Sequence, residues 1–327
     1  MERSVEPGGP GPFVDPECAD GWRRFLARRP DGTWPQLSPD TLGELRRLHE
    51  PTREESVDPR TFLSSEFVVP REPEGAVPLT VVAPRAATGG AAALLHLHGG
   101  GTVFGNRFSD IGRVLDWARV VPIEVVSVEY RLAPESPYPA ALDDAWAALG
   151  WLAARPHAGA GTGRAILVGE SAGGGLAAAL ALRARDAGLD CVAGALLMCP
   201  MLDDRRGGDL TAAPAAGPWS DASNRTAWDM YLAGRRGADD VPAYAAPARA
   251  RDLGGLPPLY LDVGSADVLR EEVVDFSARA WRSGGDVELH VWPGGFHGFD
   301  EVAPDARVSA EARRARVSWL RRLLSDP

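Results

Sequence analysis

The chain lacks the features by which several protein classes are recognised. No uncharged apolar run reaches the ~18 residues that a membrane-spanning helix needs, so no membrane span is expected. Its first residues, MERSVEPGGPGPFVDPE, hold no apolar stretch of the kind that marks a secretory leader; the first fifteen read as flexible, and a cytoplasmic location is expected. Cysteine is scarce. Cys18, Cys191 and Cys199 show no metal-like spacing, and three is poor material for a disulfide framework. Positive charge is in deficit: a formal net charge of −10 leaves no basic footprint for nucleic acid or an anionic membrane. Glycine and proline recur without a period, which excludes solenoids and propellers.

What is present is an ordinary globular composition. With 327 residues and 45 % apolar content, a sizeable core in one large or two smaller α/β domains is within reach. From residue 61, apolar runs alternate with helical segments. FLSSEFVVP and AVPLTVVAP read as an opening antiparallel hairpin. ALLHLH, EVVSVEY, RAILVG, VAGALLMCP, LYLDVG and DVELHVWP follow, with helices expected near 108–120, 139–154, 172–187, 270–283 and 307–324. Continuous apolar strands between helices imply a mostly parallel, eight-stranded sheet covered on both faces, with only the first two strands antiparallel. Residues 1–60 carry two amphipathic patches, and Ser38-Pro39 ahead of Leu42, Leu45 and Leu48 reads as a capped helix start. Residues 203–247 break the alternation and read as an inserted helical segment. The expected division is a core at 61–202 and 248–327, with 1–60 and 203–247 forming a cap.

One polar interruption stands out. GESAGGG, residues 169–175, separates the run RAILV from the helical LAAALALRA. G-x-S-x-G between a strand and a helix is the pattern of a nucleophile held on a sharp turn. Glycines flank the serine because side chains there would collide with neighbouring backbone. The helix that follows aims free N–H groups at any negative oxygen formed beside Ser171. A plain tight turn between strand and helix would also tolerate these small residues, so the motif needs partners. HLHGGGTVFG, 96–105, offers one: three glycines after a buried strand can turn their amides toward a ligand, as in the loop that completes an oxyanion hole. It is not a phosphate cradle, since no Lys-Ser/Thr follows, and GTG at 161–163 precedes its strand instead of following it. His96 and His98 share a strand face without further ligands; His96 reads as a satisfied core residue and His98 as an organiser of the glycine loop.

Taken together, HGGG (98–101), YRLAPE (130–135), GESAGG (169–174), GSADVLREE (264–272) and GFHGF (295–299) carry a resemblance. The chain resembles the hormone-sensitive-lipase-like (bacterial family IV) esterases of the α/β-hydrolase superfamily, over about residues 60–300. The resemblance implies an α/β-hydrolase fold with Ser171 as nucleophile, Asp267 as acid and His297 as base. It implies an oxyanion hole from the amides of Gly100, Gly101 and Ala172. No cofactor and no metal are implied. The residues support these roles separately. His297 sits in a glycine-flanked loop after the last expected strand. Asp267 follows LYLDVG and emerges at the strand's carboxyl end, where open α/β sheets bind ligands. Asp262 and Asp300 compete with it, one inside the strand and one just past the histidine. His49, His157 and His290 read as structural, and Arg131 and Glu135 as ion-pairing scaffold.

Two departures from the family pattern bear on the pocket. Thr102 follows the third glycine where a bulky aromatic is usual, with Phe104 two residues on, and Val268 replaces a proline after the acid. Trp219 and Trp228, with Trp22 and Trp34, are candidates to line an apolar pocket or to pack a cap. The expected activity is hydrolysis of short-chain or compact carboxylic esters through an acyl-enzyme. The expected partner is a small-molecule ester, and a homo-oligomer is compatible with the sequence. Acyl transfer, amidase or lactonase action on a specialised metabolite, and a non-catalytic ligand-binding role, remain as alternatives.

Overall fold

The uninterrupted apolar runs form the centre of one sheet. In the computed structural model, which describes residues 13–85, 92–155, 163–205 and 217–325, eight strands lie in a single sheet. They are β1 (Phe62–Pro70), β2 (Ala76–Pro84), β3 (Ala92–Leu97), β4 (Glu124–Val128), β5 (Arg164–Glu170), β6 (Val192–Met198), β7 (Leu259–Gly264) and β8 (Val287–Trp292), in spatial order β1-β2-β4-β3-β5-β6-β7-β8. Every residue of β3 and β7 is buried, and β5 and β6 are buried after their first residue. Such strands tolerate no polar face because helices cover both sides. β1 and β8 are the half-exposed edges.

Both antiparallel pairings, β1 with β2 and β2 with β4, involve β2. β2 alone therefore runs against the sheet, and β1 runs with the majority. The opening hairpin is as expected, but the reversal is one strand and not two, because β2 inserts between two strands of the common direction.

Ten helices are described: α1 (Pro16–Leu26), α2 (Leu42–Leu48), α3 (Arg53–Ser56), α4 (Ile111–Val120), α5 (Ala140–Ala154), α6 (Ala172–Asp186), α7 (Asp221–Tyr231), α8 (Arg270–Arg282), α9 (Phe299–Val302) and α10 (Arg307–Ser325). α6 is buried on nearly every side, which its Gly and Ala content permits. α2 starts at Leu42, later than the Ser38-Pro39 signal indicated. Ser38 and Thr41 instead bond each other through side chain and backbone, closing a turn ahead of the helix. The first twelve residues, His157 and residues 206–216 of the expected insertion lie outside the described residues.

The strand order fixes where chemistry can occur. The chain leaves β3 to form β4 on one side and returns to form β5 on the other, so β3 and β5 flank a topological switch point. Their registers put Leu97 opposite Gly169. The glycine loop after β3 and the serine turn after β5 therefore emerge side by side at the carboxyl edge.

Candidate active site

Ser171 is the single residue between β5 and α6, and its backbone stands at φ 53°, ψ −119°. A non-glycine residue there is strained, and the surroundings hold it: Ser171 N–H donates to Met198 O at 2.8 Å, and Ser171 O accepts from Met201 N at 2.9 Å. The flanking glycines are sterically required. A Cβ on Gly169 would lie 2.2 Å from Gly173 O, and one on Gly173 would lie 2.0 Å from Leu97 O. Ser171 is 4 % exposed, and among the described residues its hydroxyl has no hydrogen-bond partner. It opens into a cavity of about 140 Å³ that His297 and Gly100 also line.

The glycine loop is braced from below. Tyr130 OH donates to His98 O at 2.7 Å, the His98 Nδ1–H donates to Gly99 O at 2.7 Å, and Gly99 N–H donates to Asp110 Oδ2 at 2.8 Å. Burial pushes His98 below its ordinary value, which favours the neutral ring, and the Gly99 carbonyl, able only to accept, sets the proton on Nδ1. Gly100 and Gly101 take φ of 103° and 62°. Among the described residues the amides of Gly100, Gly101 and Ala172 donate to no protein acceptor. His96 bonds Ser127 Oγ at 2.8 Å inside the core, and burial lowers it to about 3. Both histidines thus take the roles read from the sequence.

The loops after β7 and β8 are tied to each other. Ser265 N–H donates to Trp292 O at 2.8 Å, Ala266 N–H to Gly295 O at 2.9 Å, and Gly294 N–H to Ser265 Oγ at 2.7 Å. This union brings Asp267 to His297: Oδ2 accepts from Nδ1 at 2.9 Å, while Oδ1 accepts from Leu269 N at 2.9 Å. Asp267 is fully buried, and His297 Nε2 is left without a partner among the described residues. The two competing acids are engaged elsewhere. Asp262 Oδ2 pairs with Arg316 at 2.7 Å, and Asp300 pairs with both Arg316 and Arg113. Although burial opposes it, these guanidinium groups hold Asp300 well below the usual carboxylate range.

Two clusters contain metal-ligand residue types, each with one ligand atom per residue inside 4.8 Å. In Cys199, Asp267 and His297, Nδ1 is already committed to Asp267, and burial drives the thiol far above its ordinary value, so it keeps its proton. In Asp110, Glu170 and Glu301, the Arg113 guanidinium already pairs with the carboxylates.

Segments distant in sequence wall the cavity. Trp34, Leu37, Leu45 and His49 come from the N-terminal segment, and Pro218, Trp219 and Ser223 from the segment leading into α7. The two meet directly, as Leu37 N–H donates to Ser223 Oγ at 3.0 Å. Trp219 lies 6.0 Å from His297 between ring centres, and its ring covers Gly101. Trp228, by contrast, is packed in the core, and Trp22 stacks on Phe25 and meets Trp34 edge to face. His49, read as structural, lines the cavity with its ring 4.5 Å from Phe104. Its helical setting gave no sign of this, because the contact joins segments 55 residues apart. Arg131 and Glu135 pair with Asp144 and Arg46 as scaffold.

The strand order and the serine turn define the fold of an α/β hydrolase. A family model described as alpha/beta hydrolase fold matches residues 94–301. The chain belongs to this family, in its hormone-sensitive-lipase-like branch. It is 37 % identical to Esterase LipI of Mycobacterium tuberculosis (strain ATCC 25618 / H37Rv) over 71 % of this chain and 72 % of that protein. It is 35 % identical to an acetyl-hydrolase of Streptomyces hygroscopicus over 68 % and 74 % of the respective chains. Among solved structures, a bacterial heroin esterase superposes with a TM-score of 0.80 at 33 % identity, covering 95 % of this chain and 98 % of its own. An esterase from the bacterial hormone-sensitive lipase family gives a TM-score of 0.78 at 27 % identity, covering 95 % and 99 %.

Proposed function

We propose that the protein is a carboxylic ester hydrolase in which Ser171, His297 and Asp267 act as nucleophile, base and acid. One observation carries the reading. A buried, unpartnered serine hydroxyl on a strained turn opens into the same cavity as a histidine whose far nitrogen is tied to a buried aspartate. Esterase and acetyl-hydrolase names among the relatives support the same class of reaction.

A serine hydroxyl is a weak nucleophile at neutral pH and needs a base. His297 Nε2 takes its proton as Oγ attacks the ester carbonyl. The catalytic hydrogen bond between them tightens when substrate enters, as is common where the unliganded site holds it open. Asp267 keeps the proton on Nδ1 and stabilises the imidazolium. The amides of Gly100, Gly101 and Ala172, free of acceptors among the described residues, hold the negative oxygen; each such donor is worth on the order of 10²–10³ in turnover. His297 then protonates the departing alcohol, and water repeats the sequence on the acyl-enzyme. No membrane-crossing helix occurs among the described residues, and the substrate is a small-molecule ester.

Residues 1–60 and 203–247 act in this reading as a cap. Ser171→Ala and His297→Ala are each expected to lower kcat by about 10⁴-fold or more, with little further loss when combined, because the residues act as a unit. Steady-state kinetics on p-nitrophenyl acetate test this. Retention of most turnover by either single variant would refute the assignment.

A further inference from the structure

The wall of the Ser171 cavity is chemically lopsided. Asp110, Glu170 and Glu301 line it, with one oxygen of each inside 4.8 Å of the others, and among the described residues no arginine or lysine does. Arg113 sits against these carboxylates while also serving Asp300, and Glu301, which burial raises to about 7, adds its negative charge above neutral pH. The nearby Arg29, over Trp34, is itself paired with Glu44 at 3.1 Å. Aromatic rings line the same cavity: Phe104 and Trp219 lie 6.2 Å apart between ring centres, edge to face. That this cavity takes a ligand stands on separate ground, namely Ser171, a 96 % buried residue that lines it and whose hydroxyl has no partner among the described residues.

Resting on the esterase reading above, we propose that the preferred substrates are esters bearing an organic cation, a protonated amine or quaternary ammonium. The cation sits among the Asp110–Glu170–Glu301 carboxylates and the Phe104 and Trp219 rings. Carboxylates attract the charge through a partly dehydrated medium, and aromatic faces stabilise a large, weakly hydrated cation where they would not stabilise an anion. A hard divalent ion fits worse. It requires six to eight oxygen ligands close around it, whereas three carboxylates stand here and the rest of the wall is largely hydrocarbon. Esters carrying a carboxylate are disfavoured by the same field.

The test compares 2-(trimethylammonio)ethyl acetate with its neutral isostere, 3,3-dimethylbutyl acetate. The expected kcat/KM ratio is at least tenfold in favour of the cation at low ionic strength. It should shrink in 0.5 M sodium chloride, since added salt screens the attraction. At pH 8, above the range to which burial raises Glu301, Glu301→Gln should lower the ratio several-fold. Calorimetric titration of both esters into Ser171→Ala reads the same preference without turnover, and tighter binding of the cationic ester is expected. A ratio of one or below, or equal binding of the two esters, overturns the proposal while leaving ester hydrolysis intact. Displacement of the cationic ester by millimolar calcium or magnesium would instead assign the wall to a metal ion and overturn it too. Hydrolysis of neither ester, with cation-selective binding retained, would refute the esterase reading and with it the substrate claim, leaving only the cavity's preference for an organic cation.

Discussion

At position 171 the backbone is held where an L-residue rarely sits, and the reason lies in the residues on either side. Gly169 and Gly173 let strand, turn and helix approach to distances no side chain permits. Gly173→Ala drives a methyl into the carbonyl of Leu97, a backbone atom that cannot rotate away. We expect a loss of about 1–3 kcal/mol in denaturant unfolding, with esterase activity falling because Ser171 and the glycine loop are pushed apart. Unchanged stability and turnover in Gly173→Ala would show that the close approach has no role. This part of the site was legible in the sequence because its constraint is local. Glycine at fixed offsets from serine, between a β-run and a helical run, states its own geometry. The role of His98 was equally legible, as its partner is the adjacent residue, Gly99. His49 was not, since nothing in ELRRLHE marks a ring that will meet Phe104 across the fold.

At the scale of elements, the paired loops after β7 and β8 do the positioning. Hydrogen bonds between Ser265 and Trp292, and between Ala266 and Gly295, set Asp267 against His297 before any substrate arrives. α8, which follows the first of these loops, is anchored to the segment after β6 through Glu272, whose carboxyl group accepts from Leu202 N at 2.7 Å deep in the core. Burial pushes this group up to about 8, against an ordinary value of ~4.3. The folded protein therefore binds the extra proton between those values and the unfolded chain does not. Stability falls as pH rises through that interval, and the contribution is fully present only below it. Glu272→Gln keeps a carbonyl acceptor for Leu202 and abolishes the titration. Its melting temperature should decline less than that of the wild type between pH 5 and 8 in scanning calorimetry. Parallel declines in the two proteins would contradict the assignment. The elements themselves were largely evident from sequence, with β1, β2 and β7 starting and ending where their apolar runs do. The direction of β1 was not, because pairing order is a property of the whole sheet and a hairpin looks the same in any neighbourhood.

At the scale of the molecule, two segments about 180 residues apart close over one edge of the sheet. Trp34 and His49 from one side and Trp219 from the other reduce the space above Ser171 to about 140 Å³. A cavity of roughly 150 Å³ accommodates a benzene-sized group, so a compact acyl or alcohol portion fits and an extended chain does not. In a p-nitrophenyl ester series kcat/KM should therefore peak at short acyl chains, and Trp219→Ala should shift the peak to longer ones. A wild-type maximum at long chains would reject this account of the cavity. The sequence suggested tryptophans in a cap, yet only the folded chain separates Trp219, over the site, from Trp228, in the core. Such sorting depends on where segments dock, which no local pattern encodes.

The central claim is that Ser171 is an activated nucleophile, and covalent trapping tests it most directly. Treatment with a fluorophosphonate followed by peptide mapping should give one stoichiometric adduct on the peptide containing Ser171, formed far more slowly in His297→Ala. Labelling at another residue, or none in active protein, would contradict the account.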